Sequence, residues 1–469
     1  MTDPNANRPQ DPPTPGVEPS GPPESPLEPG ARAVVARLHA AGFVAYWAGG
    51  CVRDRLMGRI PADYDVATNA RPDAVESLFP GCIAVGKSFG VLRVPAGDHF
   101  YEVATFRGEG DYRDGRRPGT VVFSDPETDA QRRDFTINAM FYDVDGDRVL
   151  DYVGGRADID ARVIRCVGDP LLRFQEDHLR MLRAVRFSFT LGFRLDAPTA
   201  DAIRQLAPLI ARVSAERIEQ ELTRTLVESI HPGDAVAELD RLGLLSVVLP
   251  EVAAMKGQPQ PPEFHPEGDV FAHTLLMLNL MRTRSIELAY AALLHDVGKP
   301  GTATDAGDRI RFHGHAAEGA AMAAAILKRL RFPHDTVDRV VACVRDHMRT
   351  MDVRRMRQST LRRLVGAPTF ETELELHRLD CLASHGGLEN YEFLVEFRDR
   401  LRAEPVLPAP WVTGRDILEM GVPEGPQVGA WRRTAYDAQL DERFPNREEL
   451  LAWLREEIRR IPSGRLGQV

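Results

Sequence analysis

The 469-residue chain is short of cysteine, of long apolar runs and of positive charge, and each shortage removes a class of protein. Its five cysteines, Cys51, Cys82, Cys166, Cys343 and Cys381, are scattered, with no Cys-x-x-Cys pair. That argues against a zinc ribbon and a disulfide framework and favours a reducing, cytoplasmic setting. No apolar run approaches the roughly 20 residues a membrane helix needs, so no membrane partner is expected. Residues 1–30 are crowded with proline and polar side chains, with neither a basic start nor an apolar h-region, and read as a disordered tail rather than a signal peptide. Lys and Arg number 59 against 69 Asp and Glu, a net charge of −10. An even spread of that charge would disfavour a nucleic-acid partner, but local patches matter more than the sum. One such patch runs through Arg349, Arg354, Arg355, Arg357, Arg362 and Arg363, with Asp352 its only acid in sequence. A solvated helix face and an RNA contact explain it equally well.

What is present indicates several modules, since this length suggests roughly three domains. Residues 31–42 carry apolar Val34, Val35 and Leu38 at helical spacing and close on Gly42; Phe43 to Ala48 then reads as a strand. Gly49 and Gly50 open a short helix that Pro61 ends, and Asp63 and Asp65 follow in a strand whose period of two points both carboxylates one way. Oxygen ligands for Mg²⁺ beside bare amides for phosphate suit a nucleoside triphosphate site. Strands follow around Cys82 to Val85, Gly90 to Pro95 and Phe100 to Phe106, the last carrying Glu102 as a possible third carboxylate. Gly108 to Pro118 is glycine-rich, charged and aperiodic, like an active-site lid. Arg132, Arg133, Asp134 and Asn138 precede an apolar strand, and arginines suit triphosphate oxygens while an Asp suits a ribose hydroxyl.

Beyond Val163 the pattern turns helical, and Phe174 to Phe187 places acids in its first turn and arginines later. Asp177 and Arg180 are three apart, hence on one helix face, an acceptor beside donors. Cytosine and adenine both pair an exocyclic amine with a ring-nitrogen acceptor, so this face would select C and A and reject U and G. In order, Gly49 to Arg59, Asp63-x-Asp65, Glu102 in Glu-Val-Ala-Thr-Phe-Arg, the Arg132 to Met140 run and Glu176-Asp177-x-x-Arg180-x-x-Arg183 resemble the class II tRNA nucleotidyltransferases. That family comprises CCA-adding enzymes and bacterial poly(A) polymerases, and the resemblance covers about residues 31–230. It implies that Asp63 and Asp65 bind Mg²⁺, with Glu102 completing the catalytic carboxylates. It also implies that Gly49, Gly50, Arg53, Arg133, Asp134, Asn138, Asp177, Arg180 and Arg183 bind the nucleotide, and that the 108–118 loop helps the change from C to A addition.

Residues 233–402 are helical and rich in histidine. His273, His295 and Asp296 at the end of an apolar helix, His313, His315, His347 and Asp380 lie on separate segments. Together they resemble the HD phosphohydrolases. The resemblance implies that His273, His295, Asp296 and Asp380 hold one metal, with His315 and His347 at positions for a second and His313 a weaker candidate. Mixed imidazole and carboxylate ligands suit Mn, Fe, Ni or Zn. The remainder, with a Gly-rich turn at Gly421 to Gly429 and a helix from Arg447 to Ile461, reads as a small tail contacting RNA or a second subunit.

The expected fold is α+β: a disordered tail (1–30), a polymerase-β-like head (31–165), an all-helical neck with the base-reading helix (166–232), a helical HD domain (233–404) and a C-terminal tail (405–469). The expected function is addition of CMP and AMP to the 3′ end of tRNA, with tRNA, CTP and ATP as partners, plus a phosphohydrolase activity in the HD domain. The alternatives are a CC-adding, A-adding or poly(A)-polymerising enzyme, or chiefly an HD phosphohydrolase with an RNA-binding head. Oligomeric state is not encoded in any of these motifs.

Overall fold

A computed structural model describes residues 25–86, 90–108, 123–261, 263, 265–307, 309–403 and 405–460. The chain divides into two compact units: the first runs to Arg180 and takes in Gly192–Leu206, and the second comprises Met181–Leu191 and everything from Ala207 onward. Nearly all of the proline-rich tail, and the 108–118 loop beyond Gly108, lie outside the described residues.

The first unit is built on one sheet. Its elements are α1 (Glu28–Ala40), β1 (Ala45–Ala48), α2 (Gly50–Leu56), β2 (Asp65–Thr68), α3 (Pro72–Leu78), β3 (Ile83–Gly86), β4 (Val91–Ala96), β5 (His99–Thr105), α4 (Pro126–Gln131), β6 (Met140–Asp143) and β7 (Arg148–Asp151). The seven strands lie in the order β3-β4-β5-β2-β1-β6-β7. All neighbours are antiparallel except β2 and β5, which run parallel with Asp65 opposite Glu102. That one parallel pair brings two carboxylates from distant sequence onto adjacent strands. Helix α1 buries Val34, Val35 and Leu38 and packs on the sheet, as its periodicity predicts, and Gly42 follows it at φ 85°.

Two sequence expectations are corrected here. Helix α2 stops at Leu56, ahead of Gly58 rather than at Pro61, because Gly58 at φ 67° turns the chain where the helix would have continued. Asp63 lies in the irregular segment before β2 rather than in a strand. The alternation nevertheless holds, because Tyr64 between the two acids turns inward, its ring 4.8 Å edge-on from that of Trp47.

The first unit continues through α5 (Gly155–Asp160), β8 (Val163–Ile164), α6 (Pro170–Glu176), the start of α7 (Arg180–Leu191), β9 (Arg194–Leu195) and α8 (Ala197–Leu206). Strands β8 and β9 form a short parallel ladder, so the neck region is helical but not all-helical. The second unit holds the rest of α7, then α9 (Ala215–Glu228), α10 (Pro232–Arg241), α11 (Leu245–Val248), α12 (Pro250–Ala253), α13 (Val270–Leu280), α14 (Ile286–Leu294) and α15 (Lys299–Thr302). A small hairpin, β10 (Thr304–Asp305) with β11 (Ile310–Arg311), interrupts the helices before α16 (His315–Arg329), α17 (His334–Asp346), α18 (Gln358–Val365), α19 (Phe370–Ala383) and α20 (Glu389–Arg400). Arg186 and Glu221 form an ion pair at 2.6 Å, both side chains buried.

The C-terminal segment is more than a tail. Helices α21 (Gly414–Glu419), α22 (Pro426–Leu440) and α23 (Arg447–Arg460) enclose their own apolar cluster, including Ile417, Trp431, Ala435, Leu450 and Leu454. The predicted glycine turn ends at Gly425, and Pro426 starts a helix that carries Gly429 inside it, consistent with the preference of proline for a first helical position. The arginine patch is also resolved. Arg349 pairs with Glu373 at 2.7 Å, Arg362 with Glu442 at 2.9 Å, and Arg363 with Asp437, while Arg354 donates to the Glu389 carbonyl. Acids distant in sequence thus pair with Arg349, Arg362 and Arg363, whereas Arg354, Arg355 and Arg357 are exposed.

Candidate active sites

In the head, Gly49 sits between the proposed metal and nucleotide residues. Its φ of 77° and ψ of −127° exclude an ordinary side chain, and a Cβ there would lie 3.3 Å from Arg133 Nη1 and 4.0 Å from Asp65 Oδ2. Asp65 is half-buried beside exposed Asp63 and Glu102. Burial first, then the charges of Asp63 and Glu102, push its carboxyl up to about 7, against the opposing pull of Arg133. Three acids crowd together here with too little positive charge, and their hard oxygen donors fit a divalent cation.

The arginines are set by a residue that sequence reasoning missed. Asp129, 1% exposed, accepts from Arg133 Nε and Nη2 at 3.1 and 3.0 Å, and from Arg132 Nε at 2.9 Å. Arg133 Nη1 donates to the Asn138 carbonyl at 3.2 Å, and its guanidinium lies over Phe141. Burial lowers the Arg132 pKa to about 10, which leaves it charged at neutral pH. The spacing of Asp129 from the two arginines, i,i+3 and i,i+4, was the available signal. Asn138 Oδ1 in turn accepts from Arg53 Nη1 at 2.7 Å, and Asp134 Oδ1 accepts from the Phe135 amide. Asn138 is buried at 8% exposure, so it supports Arg53 from within.

The base-reading helix differs from expectation. The helix breaks at Asp177, whose φ of −147° and ψ of 103° end α6; its side chain then accepts from the Leu179 amide ahead of α7. Asp177 and Arg180 therefore do not share one continuous helix face. Arg180 is held by Glu176 at 2.6 Å and by the carbonyls of Arg173 and Arg132, at 2.9 and 3.1 Å. Arg183 belongs to the second unit, where it lies over Phe187 and 3.7 Å from Glu221.

The second unit brings the expected histidines and aspartates together but divides them differently, with Asp296 beside His315 and His347. His273 Nε2 lies 3.1 Å from Asp380 Oδ1, and His295 Nε2 lies 3.1 Å from Asp296 Oδ2. The other Asp296 oxygen is 3.6 Å from His315 Nε2 and 3.9 Å from His347 Nε2. Two groups result: His273, His295 and Asp380, and Asp296, His315 and His347. Exposed His313 lines the adjoining cavity of about 450 Å³ without joining either. His273 Nε2 and His295 Nε2 are buried and, despite the nearby carboxylates, make no hydrogen bond. Orphaned ring nitrogens among carboxylates fit a metal that takes imidazole ligands. Burial alone would lower the His273 pKa, but Asp380 and Glu267 hold it at about 9, whereas burial and His295 lower that of His347 to about 4. Although burial opposes it, His295 and Lys299 hold the Asp296 carboxyl well below its ordinary range. His265 and Glu267, in the loop before α13, form a third group with His273 that sequence reasoning missed. A carboxylate six residues before a histidine carries no helical spacing to betray it.

Fold and sites together define a nucleotidyltransferase-type head followed by a helical metal-binding domain of HD type. Residues 45–165 match the poly A polymerase head domain, 192–256 the probable RNA and SrmB-binding site of polymerase A, and 270–383 the HD domain. The CCA-adding enzyme of Bacillus subtilis is 53% identical over 190 residues, 40% of this chain and 48% of its own length. Poly(A) polymerase I of Salmonella typhi is 43% identical over 204 residues, 41% of this chain and 44% of its own. The chain spans about half the length of the curated relatives it matches. The crystal structure of the Bacillus stearothermophilus CCA-adding enzyme in complex with CTP superposes with a TM-score of 0.71 at 29% identity, covering 93% of this chain and 98% of that one. The chain thus carries a poly A polymerase head domain followed by an HD domain, and is similar to CCA-adding enzymes and bacterial poly(A) polymerases. Both domain types imply dependence on divalent metal ions. No helix among the described residues is long and apolar enough to cross a membrane.

Proposed function

We propose that the chain adds CMP and then AMP to the 3′ end of tRNA without a nucleic-acid template, using CTP and ATP. The observation that carries this reading is the Asp63, Asp65 and Glu102 cluster, short of positive charge and adjoining Arg133. Mg²⁺ held by Asp63 and Asp65 would neutralise the triphosphate and activate the terminal hydroxyl for in-line attack on the α-phosphate, with pyrophosphate leaving. The protein's own groups position the reactants. Asp65 must lose its proton to serve, which favours activity above about pH 7. Arg133, braced by Asp129, directs two fixed donors at phosphate oxygens, with Gly49 and Gly50 giving the triphosphate close access to the backbone. Asp134 accepts from the ribose. Arg53, fixed by Asn138, completes the nucleotide pocket.

Asp177 and Arg180 read the base edge from either side of the helix break. Glu176 and two carbonyls hold the Arg180 plane ready for this. Extension of tRNAs ending before CCA, after C and after CC, with each nucleotide offered singly, tests the proposal; no extension with CTP or ATP would sink it. The same products separate CC-adding, A-adding and poly(A)-polymerising behaviour. A cytoplasmic setting accords with the five free cysteines.

A second activity is supported by the orphaned His273 and His295 nitrogens: metal-dependent phosphohydrolysis in the HD domain, with a transition metal such as Mn, Fe, Ni or Zn. His273, His295, Asp296 and Asp380 would hold the metal, and His315 and His347 a second. Alanine at His295 and Asp296 should abolish hydrolysis and leave nucleotide addition; loss of both together would contradict two independent sites. The same variant excludes the rival in which the chain is chiefly a hydrolase with a passive head.

A further inference from the structure

Of the four histidines that make up the HD cluster, three orient their rings by the same device and His273 by another. His295 Nδ1 lies 3.0 Å from the Ala292 carbonyl, His315 Nδ1 2.8 Å from that of Phe312, and His347 Nδ1 2.7 Å from that of Val344. In each case a carbonyl three residues back accepts from Nδ1–H, which turns Nε2 toward the cluster. His273 sits inside α13, and its Nδ1 lies 2.6 Å from Glu267 Oε1 instead. A carboxylate only accepts, so Nδ1 carries a proton and Nε2 is the nitrogen turned toward Asp380 and the cluster. The same Oε1 also accepts from His265 Nδ1 at 2.9 Å, and the His265 ring stands edge-on to that of His273, with centroids 4.9 Å apart.

We propose that Glu267 is the positioning residue of the HD metal site, fixing the tautomer and ring plane of His273 and strengthening it as a ligand, with His265 restraining Glu267. The proposal rests on the metal-site reading above. Glu267 is well placed for this role because the loop that carries it is tied at both ends. Asp269 caps α13 through the Ala272 amide at 2.7 Å and accepts from the Gly257 amide at 2.6 Å, while the Val270 amide donates to the Gln258 carbonyl. A charged acceptor behind an imidazole makes it a more basic ligand than a carbonyl does, and losing such a partner typically lowers metal affinity about 10–100-fold. His273 is thereby singled out as the strongest imidazole ligand of the four.

The test uses the full chain stripped of metal and titrated with Co²⁺ against a chromophoric chelator, with excess Mg²⁺ to occupy the head. In the wild type, Co²⁺ should bind with a histidine-type visible spectrum that His295→Ala/Asp296→Ala abolishes. Glu267→Ala should weaken Co²⁺ binding about 10–100-fold. Glu267→Gln, whose amide oxygen still accepts from Nδ1–H but bears no charge, should weaken it less. Nucleotide addition and the thermal melt of both variants should match the wild type. Wild-type Co²⁺ affinity in Glu267→Ala overturns the proposal and leaves the metal site standing. A wild type that binds no more tightly than His295→Ala/Asp296→Ala overturns the metal-site reading itself. Should Glu267→Ala fail to fold, Glu267→Gln decides, and an unchanged affinity there counts against the role.

Discussion

The head and the HD domain each gather carboxylates and treat them in opposite ways. In the head, Asp65 stands beside Asp63 and Glu102 with Arg133 as its opposing cation, and its carboxyl is pushed up to about 7. In the HD domain, Asp296 is ringed by His295, His315, His347 and Lys299, and its carboxyl is held well below the ordinary range. The head is short of positive charge, which raises the Asp65 carboxyl. The HD cluster supplies much of its own compensation, and what it leaves unfilled is ring nitrogen. One site therefore asks for a hard, oxygen-seeking ion and the other for an ion that accepts imidazole.

The largest effect that would sharpen this contrast comes from Asp65→Asn. Removing a carboxylate proposed to hold Mg²⁺ should cut nucleotide addition by roughly a thousandfold or more, several kcal/mol of transition-state stabilisation, measured as single-turnover incorporation on tRNA. Hydrolysis by the HD domain should not change. Next in size, Asp129→Ala strands Arg132 and Arg133 in a buried setting and should destabilise the head by about 3 kcal/mol in urea unfolding. Its residual activity should show a raised KM for both triphosphates.

The proton competition at Asp65 gives a third test. Its folded pKa, about 7, lies above its ordinary value of 3.8, so the proton is bound more tightly in the folded, metal-free protein. The stability this contributes is present below the ordinary value and lost as pH rises through about 7. The metal-free melting temperature should therefore carry a downward component between pH 4 and 7, absent in Asp65→Asn. The Mg²⁺ concentration for half-maximal addition should rise below pH 7, by up to about tenfold per pH unit. A flat Mg²⁺ requirement from pH 6 to 8 would break the comparison. The smallest effect is on base choice: Asp177→Ala should relax discrimination of C from U and A from G by about tenfold while changing triphosphate affinity little. Equal losses with all four nucleotides would leave Asp177 a structural residue and nothing more.

How much of this was legible beforehand depended on whether the determinant was local. The strands carrying Asp65 and Glu102 were readable from alternation, and their parallel register gives physical form to the proposed third carboxylate. The break at Asp177 was not readable, since no glycine or proline marks it. An aspartate that turns back onto the Leu179 amide looks, in sequence, like one more residue of a helix. Asp129 hid for a different reason: its role depends on which way two arginines turn. In the HD domain, His273, His295, Asp296 and Asp380 were legible as a motif series, whereas Glu267 and His265 lie in a loop whose course is set by the ties of Asp269 to both of its flanks. Helix α22 was misread because its start at Pro426 was overshadowed by the glycines around it.

The central claim is that the acidic head performs nucleotide addition independently of the histidine cluster. Its most direct test measures CTP and ATP incorporation on tRNA ending before CCA for the wild type, Asp65→Asn and His295→Ala/Asp296→Ala. The account predicts CCA completion by the wild type and the HD variant alike, and none by Asp65→Asn. Incorporation surviving in Asp65→Asn, or lost in the HD variant, would contradict it.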